Sequence, residues 1–170
     1  MGVFVGFYAP VAVFDDVIAE PYSLIPIGER HMTLVYLGEP RSRLDDIASE
    51  LKEVLVGEYP LSLVFNKLEP FPSPTKPRYI AAVPAPSPRL LRLRHKIVLK
   101  LGSSDKYGEF RPHVSIAYTR AKPSLALYRI VENIVRGARG KSQGLVVDSI
   151  GLFEARRGKL RLLASIELCR

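Results

Sequence analysis

Apolar and polar residues alternate along seven stretches of the chain, and a period of two residues predicts half-buried β-strands. β-Branched and aromatic residues, which suit the pleated surface of a sheet, are frequent in the same stretches. The predicted strands cover residues 2–8, 31–37, 61–69, 78–84, 112–118, 144–153 and 160–168.

Apolar residues recur every three or four positions in three further stretches, which predicts amphipathic helices. All three stretches end with a glycine and two begin with a proline, as is typical of helix termini. The predicted helices cover residues 43–57, 88–102 and 123–137. The proline-dense "PFPSPTKP" at residues 70–77 predicts an ordered loop, because it is too short to be a flexible linker.

The two halves of the chain resemble each other at an offset of 82 residues, which relates His31 to His113 and Thr33 to Ser115. The same offset also relates Leu34 to Ile116, Tyr36 to Tyr118, Leu68 to Ile150, Phe71 to Phe153, Ile80 to Leu162 and Ala82 to Ala164. Chance similarity of two αβ segments is the alternative to a true repeat.

A repeated half of this kind cannot easily bury both its helix face and its sheet face alone. We therefore predict an α+β fold with two pseudo-symmetric lobes around a central cleft, each an antiparallel sheet with helices on its outer face. Residues 1–170 would form a single bilobal domain, with the repeat at approximately 31–84 and 113–168.

Composition indicates a single cytoplasmic domain. The 170 residues are 47% apolar, which is enough for a sizeable core. The only cysteine is Cys169, so the chain has neither an intramolecular disulfide nor a cysteine-based zinc site. No apolar run reaches the roughly 20 residues that span a bilayer, so we expect no membrane partner. We also expect a monomer. Side-chain amides are scarce, which favours a thermophilic source.

The formal net charge of +8 favours polyanionic partners, because a positive field attracts phosphate chains. The basic run at residues 89–96 is either the solvated face of a helix or a landing surface for RNA. His95 lies in this run without a partner motif, and we interpret it as a surface residue.

Two of the three histidines precede a hydroxyl residue by two positions, in "HMTLVYLG" and "HVSIAY". Residues i and i+2 of a strand share a face, so His31 lies beside Thr33 and His113 beside Ser115. Imidazole titrates near neutrality, so one ring can accept a proton while the other donates one. Hydroxyls can hold the nonbridging oxygens of a phosphate. The pattern predicts displacement at phosphorus, for which a 2',3'-cyclic phosphate is an apt substrate.

These motifs resemble the paired H-x-[TS]-x motifs of the 2H phosphoesterase superfamily, specifically the RNA 2',3'-cyclic phosphodiesterases, also called 2'-5' RNA ligases. The resemblance extends to "LEPFPSPTKPRYIAAV", "EFRPHVSIAY" and "VVDSIGLFEARRGKLRLLASIEL". It implies a bilobal fold with a V-shaped cleft. It also implies hydrolysis of RNA 2',3'-cyclic phosphate ends, of tRNA-like or other small RNA, to 2'-phosphates, without metal or cofactor. Reversible 2'-5' ligation to a 5'-hydroxyl is a second implied activity.

The resemblance places catalysis on His31 and His113 and phosphate binding on Thr33 and Ser115. We favour His31 as the acid for the 3'-oxygen and His113 as the base for water, although pseudo-symmetry allows the reverse.

One position departs from the family pattern. Many bacterial members carry an arginine five residues after the second histidine, where this chain has Tyr118. Candidates to replace that cation are Arg78, Arg111, Arg120 and Lys76.

Aromatic side chains are candidates to stack on a terminal base, which is a common way for proteins to hold single-stranded RNA. The candidates are Phe71, Phe153, Tyr79 and Tyr107. Packing in the core is the alternative for each of them, and we favour it for Phe71 and Phe153, with one edge of the ring in the cleft.

Two alternative functions stay open at this point. One is a noncatalytic RNA-binding module of the same fold, and the other is a phosphodiesterase for a small nucleotide such as an ADP-ribose cyclic phosphate. A metal-dependent phosphoesterase is disfavoured, because the sequence lacks clustered Asp and His ligands.

Overall fold

A computed structural model describes residues 2–104 and 109–169 of the chain. Nine strands of these residues form one sheet in which every pairing is antiparallel. The strands are β1 (Gly2–Tyr8), β2 (Ser23–Leu24), β3 (His31–Gly38), β4 (Leu61–Ser73), β5 (Lys76–Pro84), β6 (Val114–Tyr118), β7 (Gln143–Val147), β8 (Ser149–Arg156) and β9 (Lys159–Glu167). Eight of them follow the order β7-β4-β5-β6-β3-β1-β8-β9, and β2 pairs with β6.

Three helices pack against this sheet: α1 (Leu44–Leu55), α2 (Pro88–Leu101) and α3 (Leu125–Gly137). Helices α1 and α2 contact each other near β9 and β3, whereas α3 contacts β4 and β5. The hydroxyls of Ser87 and Ser124 accept hydrogen bonds from the first turns of α2 and α3. No described helix combines the length and apolar character needed to cross a membrane. The predicted α+β class is confirmed.

Each helix buries the apolar stripe that its periodicity predicts. The stripe residues are Ile47, Leu51 and Leu55, then Leu90, Leu93 and Ile97, then Leu127, Val131 and Ile134. From the sheet, Met32, Leu34, Val114 and Ile116 join the same core with at most 1% of their surface exposed. Full burial of such a side chain contributes about 1.5–3 kcal/mol, so the helices hold the histidine strands firmly from behind.

The histidine strands β3 and β6 lie side by side at the centre of the sheet, joined by the pairing of Met32 with Val114. Counting outward from this centre, β4 and β8 occupy equivalent places, as the offset of 82 residues predicts. The offset also matches β5 with β9, but β9 lies at the sheet edge, and β1 takes the place equivalent to β5. The division of the chain into two lobes of one bilobal domain stays a prediction.

The prediction of a loop at residues 70–77 is wrong, because these residues complete the β4–β5 hairpin. Strand β4 pairs with β7 only as far as Phe65, so its later residues lie at an edge on that side. A proline at such an edge removes no hydrogen bond from a neighbouring strand, which is why Pro70 and Pro72 are tolerated. The single strand predicted at residues 144–153 is also wrong in one respect, since Asp148 separates β7 from β8.

Candidate active site

The two histidine motifs line a single cleft with a volume of ≈ 890 Å³. His31, Thr33, His113 and Ser115, which are distant in sequence, all contribute to its lining. The remaining walls come from residues 24–26 and Glu29, from Arg78 and Tyr79 of β5, from residues 118–120, and from residues 155 and 158–160 of the β8–β9 hairpin. The structure thus brings together the four residues that the sequence motifs single out.

The pairing of Met32 with Val114 sets the relation between the two motifs. In an antiparallel register this pair places His31 across from Ser115, and Thr33 across from His113. Side chains directly opposite each other on such strands have Cβ atoms about 5 Å apart. Each ring therefore has the hydroxyl of the other motif as its cross-strand neighbour.

Each imidazole ring is fixed by a hydrogen bond between its Nδ1 and the backbone carbonyl oxygen of the residue two positions earlier. Nδ1 of His31 lies 2.9 Å from the carbonyl oxygen of Glu29, and Nδ1 of His113 lies 2.7 Å from the carbonyl oxygen of Arg111. Because a carbonyl oxygen only accepts hydrogen bonds, Nδ1 must carry a proton in each ring. Nε2 is then the nitrogen that can exchange a proton with a ligand. Glu29 and Arg111 are themselves related by the offset of 82 residues.

Each histidine ring lies on a phenylalanine ring. His31 stacks on Phe4 with ring centroids 5.1 Å apart, and Phe4 stacks on Phe153 at 5.2 Å. His113 stacks on Phe71 with ring centroids 4.0 Å apart. Phe71 is buried against His113 and is not among the residues that line the cleft, so its contact with substrate stays a prediction. Sequence reasoning missed Phe4, which stands in an apolar strand without any distinguishing signal.

The three arginine candidates are divided between two locations. Arg78 and Arg120 line the cleft, whereas Arg111 is exposed and is not among the residues that line it. The guanidinium carbon of Arg111 is 4.2 Å from the centroid of the Phe71 ring, and its Nη1 donates a hydrogen bond to the carbonyl oxygen of Pro72 at 3.0 Å. Arg111 is therefore placed to act on His113 through Phe71 and through its charge.

The environment of His113 lowers the pKa of its imidazole. Burial is the main cause, because it penalises the charged ring, and the positive charges of Arg111 and His31 act in the same direction. The hydrogen bond to the Arg111 carbonyl opposes this shift in the pKa but does not cancel it. The neutral form of His113, with a lone pair on Nε2, is favoured at neutral pH.

A β-bulge in each histidine strand changes which side chains face the cleft. Ser115 pairs with Ala81 and Ala117 pairs with Ile80, so Ile116 is an extra residue in β6. Such a bulge re-aims the residues that follow it. Simple alternation would place Tyr118 on the core face, but the bulge brings it into the cleft, where it pairs with Tyr79.

Strand β3 carries the matching irregularity, because Thr33 pairs with Gly6 and Val35 with Val5, which leaves Leu34 unpaired. A Cβ atom on Gly6 would lie 2.1 Å from the Met32 carbonyl oxygen, so only glycine allows β1 to approach β3 this closely. Leu34 and Ile116, the bulge residues that follow the two motifs, are related by the offset of 82, and β3 has a further register shift at Leu37. Tyr107, another stacking candidate, lies outside the described residues.

Sequence reasoning also missed Arg30, which is 1% exposed. Its Nη1 lies 2.7 Å from Oδ1 of Asp15, and its guanidinium also donates to the carbonyl oxygens of Val11 and Ile25. These bonds fix the segment that carries Ile25 and Glu29, two residues of the cleft wall. The one sequence signal is an aspartate inside the apolar N-terminal run. Within residues 2–104 and 109–169, no three His, Cys, Asp or Glu side chains are grouped to hold a metal ion.

Comparison with known proteins agrees with this geometry. A sequence model of the 2'-5' RNA ligase superfamily matches residues 28–159. No curated protein sequence matches the chain. Among solved structures, TT0787 of Thermus thermophilus has a TM-score of 0.72 and 19% identity, covering 99% of this chain and 98% of that one. E. coli LigT complexed with ATP has a TM-score of 0.63 and 17% identity, with shares of 99% and 98%.

A third similar structure is E. coli LigT complexed with phosphate, with a TM-score of 0.61 and 16% identity over 99% of this chain and 98% of that one. Identities this low show a shared fold. The sequence match shows more, because it covers well over half of the chain and includes both histidine motifs. It supports an enzyme that acts on RNA or nucleotides. The chain belongs to the 2'-5' RNA ligase superfamily, a group of 2H phosphoesterases.

Proposed function

We propose that this protein hydrolyses the 2',3'-cyclic phosphate at the end of an RNA strand to a 2'-phosphate, without a metal or other cofactor. The observation that carries the proposal is the pair of imidazoles in one cleft, each with Nδ1 bonded to a backbone carbonyl and with a hydroxyl across from it. Proton transfer by two positioned rings suits the cleavage of a strained cyclic diester.

In the proposed reaction, Nε2 of His113 accepts a proton from water as the water oxygen attacks phosphorus. The bond between phosphorus and the 3'-oxygen breaks, and Nε2 of His31 donates its proton to that oxygen. The lowered pKa of His113 supports this division of roles, because a neutral ring is the form that can act as a base. The same step with a 5'-hydroxyl in place of water as the nucleophile would give a 2'-5' linkage, with the 3'-oxygen again leaving as a hydroxyl.

The charge that develops on the phosphate needs hydrogen-bond donors. The hydroxyls of Thr33 and Ser115 are placed to supply them, and Arg78 and Arg120 in the cleft wall add positive charge where the family arginine is missing. The structural relative LigT has been crystallised with phosphate and with 3'-AMP, which are ligands of the size and charge that this cleft would take.

The terminal base would stack on the aromatic pair formed by Tyr79 and Tyr118. Both residues line the cleft, and they are 37% and 39% exposed, so their rings are accessible to a ligand. Stacking on such rings tolerates any base and is worth about 1–3 kcal/mol per base. The proposed substrates are accordingly ends of tRNA-like or other small RNAs, selected by their terminal phosphate more than by their sequence.

The direct test is turnover of a nucleoside 2',3'-cyclic phosphate by the wild type, His31→Ala and His113→Ala. We expect each substitution to lower kcat by about 10²–10⁴-fold, the usual contribution of a general acid or base. His95→Ala is the matched control, because His95 is exposed on α2 outside the cleft, and it should retain wild-type kcat. An inert wild type would favour a noncatalytic RNA-binding module, and full activity in either cleft variant would refute the two-histidine mechanism.

A further inference from the structure

A second groove adjoins the cleft and has a volume of ≈ 440 Å³. It is lined by residues 76–78 at the start of β5, by residues 119–123 after β6, and by Leu127 of α3. Arg78, Thr119 and Arg120 line both the groove and the cleft. The groove and the cleft therefore share part of their walls.

The groove is strongly positive. Its lining contains the four exposed cations Lys76, Arg78, Arg120 and Lys122, and it contains no acidic side chain. Among the described residues, none of these four has a carboxylate oxygen within 4.0 Å.

Lysines elsewhere on the surface show the contrast. Lys67, Lys96 and Lys141 lie 2.6–3.0 Å from the carboxylates of Glu69, Glu58 and Asp16 respectively. A cation that is paired in this way has much of its field cancelled. The electric fields of the groove cations are not cancelled by a paired carboxylate in the part of the chain that the structure describes. Because the four cations line one groove, their fields add together at a ligand bound there.

The backbone that carries these cations is held in place. The Thr119 amide donates to the carbonyl oxygen of Arg78 at 3.0 Å, and the Ala121 amide donates to the Thr119 hydroxyl at 3.1 Å. The hydroxyl of Tyr22 donates to the carbonyl oxygen of Pro77, which lies buried between Lys76 and Arg78. Buried Leu127 completes an apolar floor beneath the charged rim.

We propose that this groove binds the backbone phosphates of the RNA strand on the 5' side of its terminal cyclic phosphate. The inference rests on the proposed function, because it takes the reacting phosphate to lie between His31 and His113. A terminal nucleotide held there is connected to the rest of its strand only through its 5'-oxygen, so the strand must leave the cleft along one wall. A positive groove with apolar surface beneath it is the usual track for a single strand.

The proposal gives Lys76 and Lys122 a distinct place, because they line the groove but not the cleft. Their contribution should therefore depend on the length of the substrate. A mononucleotide ends before it reaches them, whereas an oligonucleotide carries phosphates into their field. The groove determines preference for RNA ends over free cyclic nucleotides.

The test compares kcat/KM for a tetranucleotide ending in a 2',3'-cyclic phosphate with kcat/KM for the corresponding nucleoside 2',3'-cyclic phosphate. In the double variant Lys76→Ala/Lys122→Ala we expect the ratio of the two values to fall about tenfold at low salt. The slope of log(kcat/KM) against log[salt] for the tetranucleotide should become shallower by about 1.4, since each lost contact with a single strand changes it by about 0.7.

Lys52→Ala is the control, because Lys52 is exposed on α1 and lines neither the groove nor the cleft. It should leave the ratio and the slope at their wild-type values. An unchanged ratio in the double variant would overturn the proposal. An equal loss of kcat/KM for both substrates would also overturn it. A loss confined to the joining of the substrate to a strand with a 5'-hydroxyl would overturn it too, because the groove would then bind the acceptor strand.

A binding measurement separates failure of the groove from failure of the proposed function. Fluorescence anisotropy of a labelled tetranucleotide with a 3'-phosphate reports groove occupancy without any turnover. If the wild type is inert but the double variant binds this probe about tenfold more weakly than Lys52→Ala does, the hydrolase proposal is wrong and the groove stands. If both variants bind it equally, the groove proposal is wrong whatever the wild type hydrolyses.

Discussion

His31 and His113 belong to copies of one motif, and each makes a hydrogen bond to a backbone carbonyl oxygen at the centre of the sheet. Their surroundings differ. His31 lies on Phe4, and the stack continues to Phe153, so the support behind it is uncharged. His113 lies on Phe71, and the guanidinium of Arg111 is over that same ring. The two copies of the motif thus differ in their surroundings, because the pKa of His113 is lowered mainly by burial and the guanidinium of Arg111 lies nearby.

The largest expected effect comes from a substrate whose leaving group needs no general acid, because it separates the proposed roles of the two histidines. On a diester with a p-nitrophenolate leaving group, which departs without a proton, the loss in His31→Ala should shrink from about 10²–10⁴-fold to below about tenfold. His113→Ala should keep its full loss, because water must still be deprotonated. Steady-state kcat on the two diesters measures the difference, and equal rescue of both variants would contradict the assignment of roles.

The hydroxyls provide a symmetric test of the same site. Thr33→Val and Ser115→Ala should each lower kcat by about 10²-fold, since each removes one donor to the nonbridging oxygens. Thr33→Ser and Ser115→Thr keep a hydroxyl and should retain most of the activity. A loss in only one of the two motifs would show that the phosphate lies closer to one strand, and no loss in either would remove both from phosphate binding.

The smallest expected effect concerns Arg111, whose charge separates the two environments. Arg111→Gln removes a positive charge that lowers the pKa of His113, so that pKa should rise. An acid and a base that both titrate should give a bell-shaped dependence of kcat/KM on pH. Because the base must be neutral, the acidic limb of that profile should move to higher pH while the plateau changes little. Arg43→Gln, an exposed arginine just before α1, is the control. A shift of the acidic limb to lower pH would contradict the proposed electrostatics.

Much of the fold could be predicted from the sequence, because each helix and most strands carry their own periodicity. Elements that depend on pairing between distant segments could not. Strand β2 is two residues long and exists only because it pairs with β6. Residues 70–73 form the end of strand β4 because they pair with β5, although their prolines favour a loop when the sequence is read alone.

The site divides in the same way. The four motif residues could be predicted to lie together, because the duplication relates them and strand alternation orients them. Phe4 and Arg30 could not be found, since their roles depend on contacts with His31 and with residues 11–25 that no local pattern encodes. Phe71 stacks on His113 and Arg111 lies over Phe71, and neither residue lines the cleft, so substrate contact by either one stays a prediction. The catalytic roles themselves stay predictions.

The bulges at Leu34 and Ile116 have a consequence for how this family could change its substrates. Each bulge separates a strand into two segments whose side-chain alternation is out of phase. At the bulge of Ile116, the segment before it presents His113 and Ser115 to the cleft, and the segment after it presents Tyr118 to the same cleft. Substitutions after the bulge can therefore alter ligand preference without turning His113 or Ser115 away from the cleft, which makes chemistry and selectivity separately variable along one short strand.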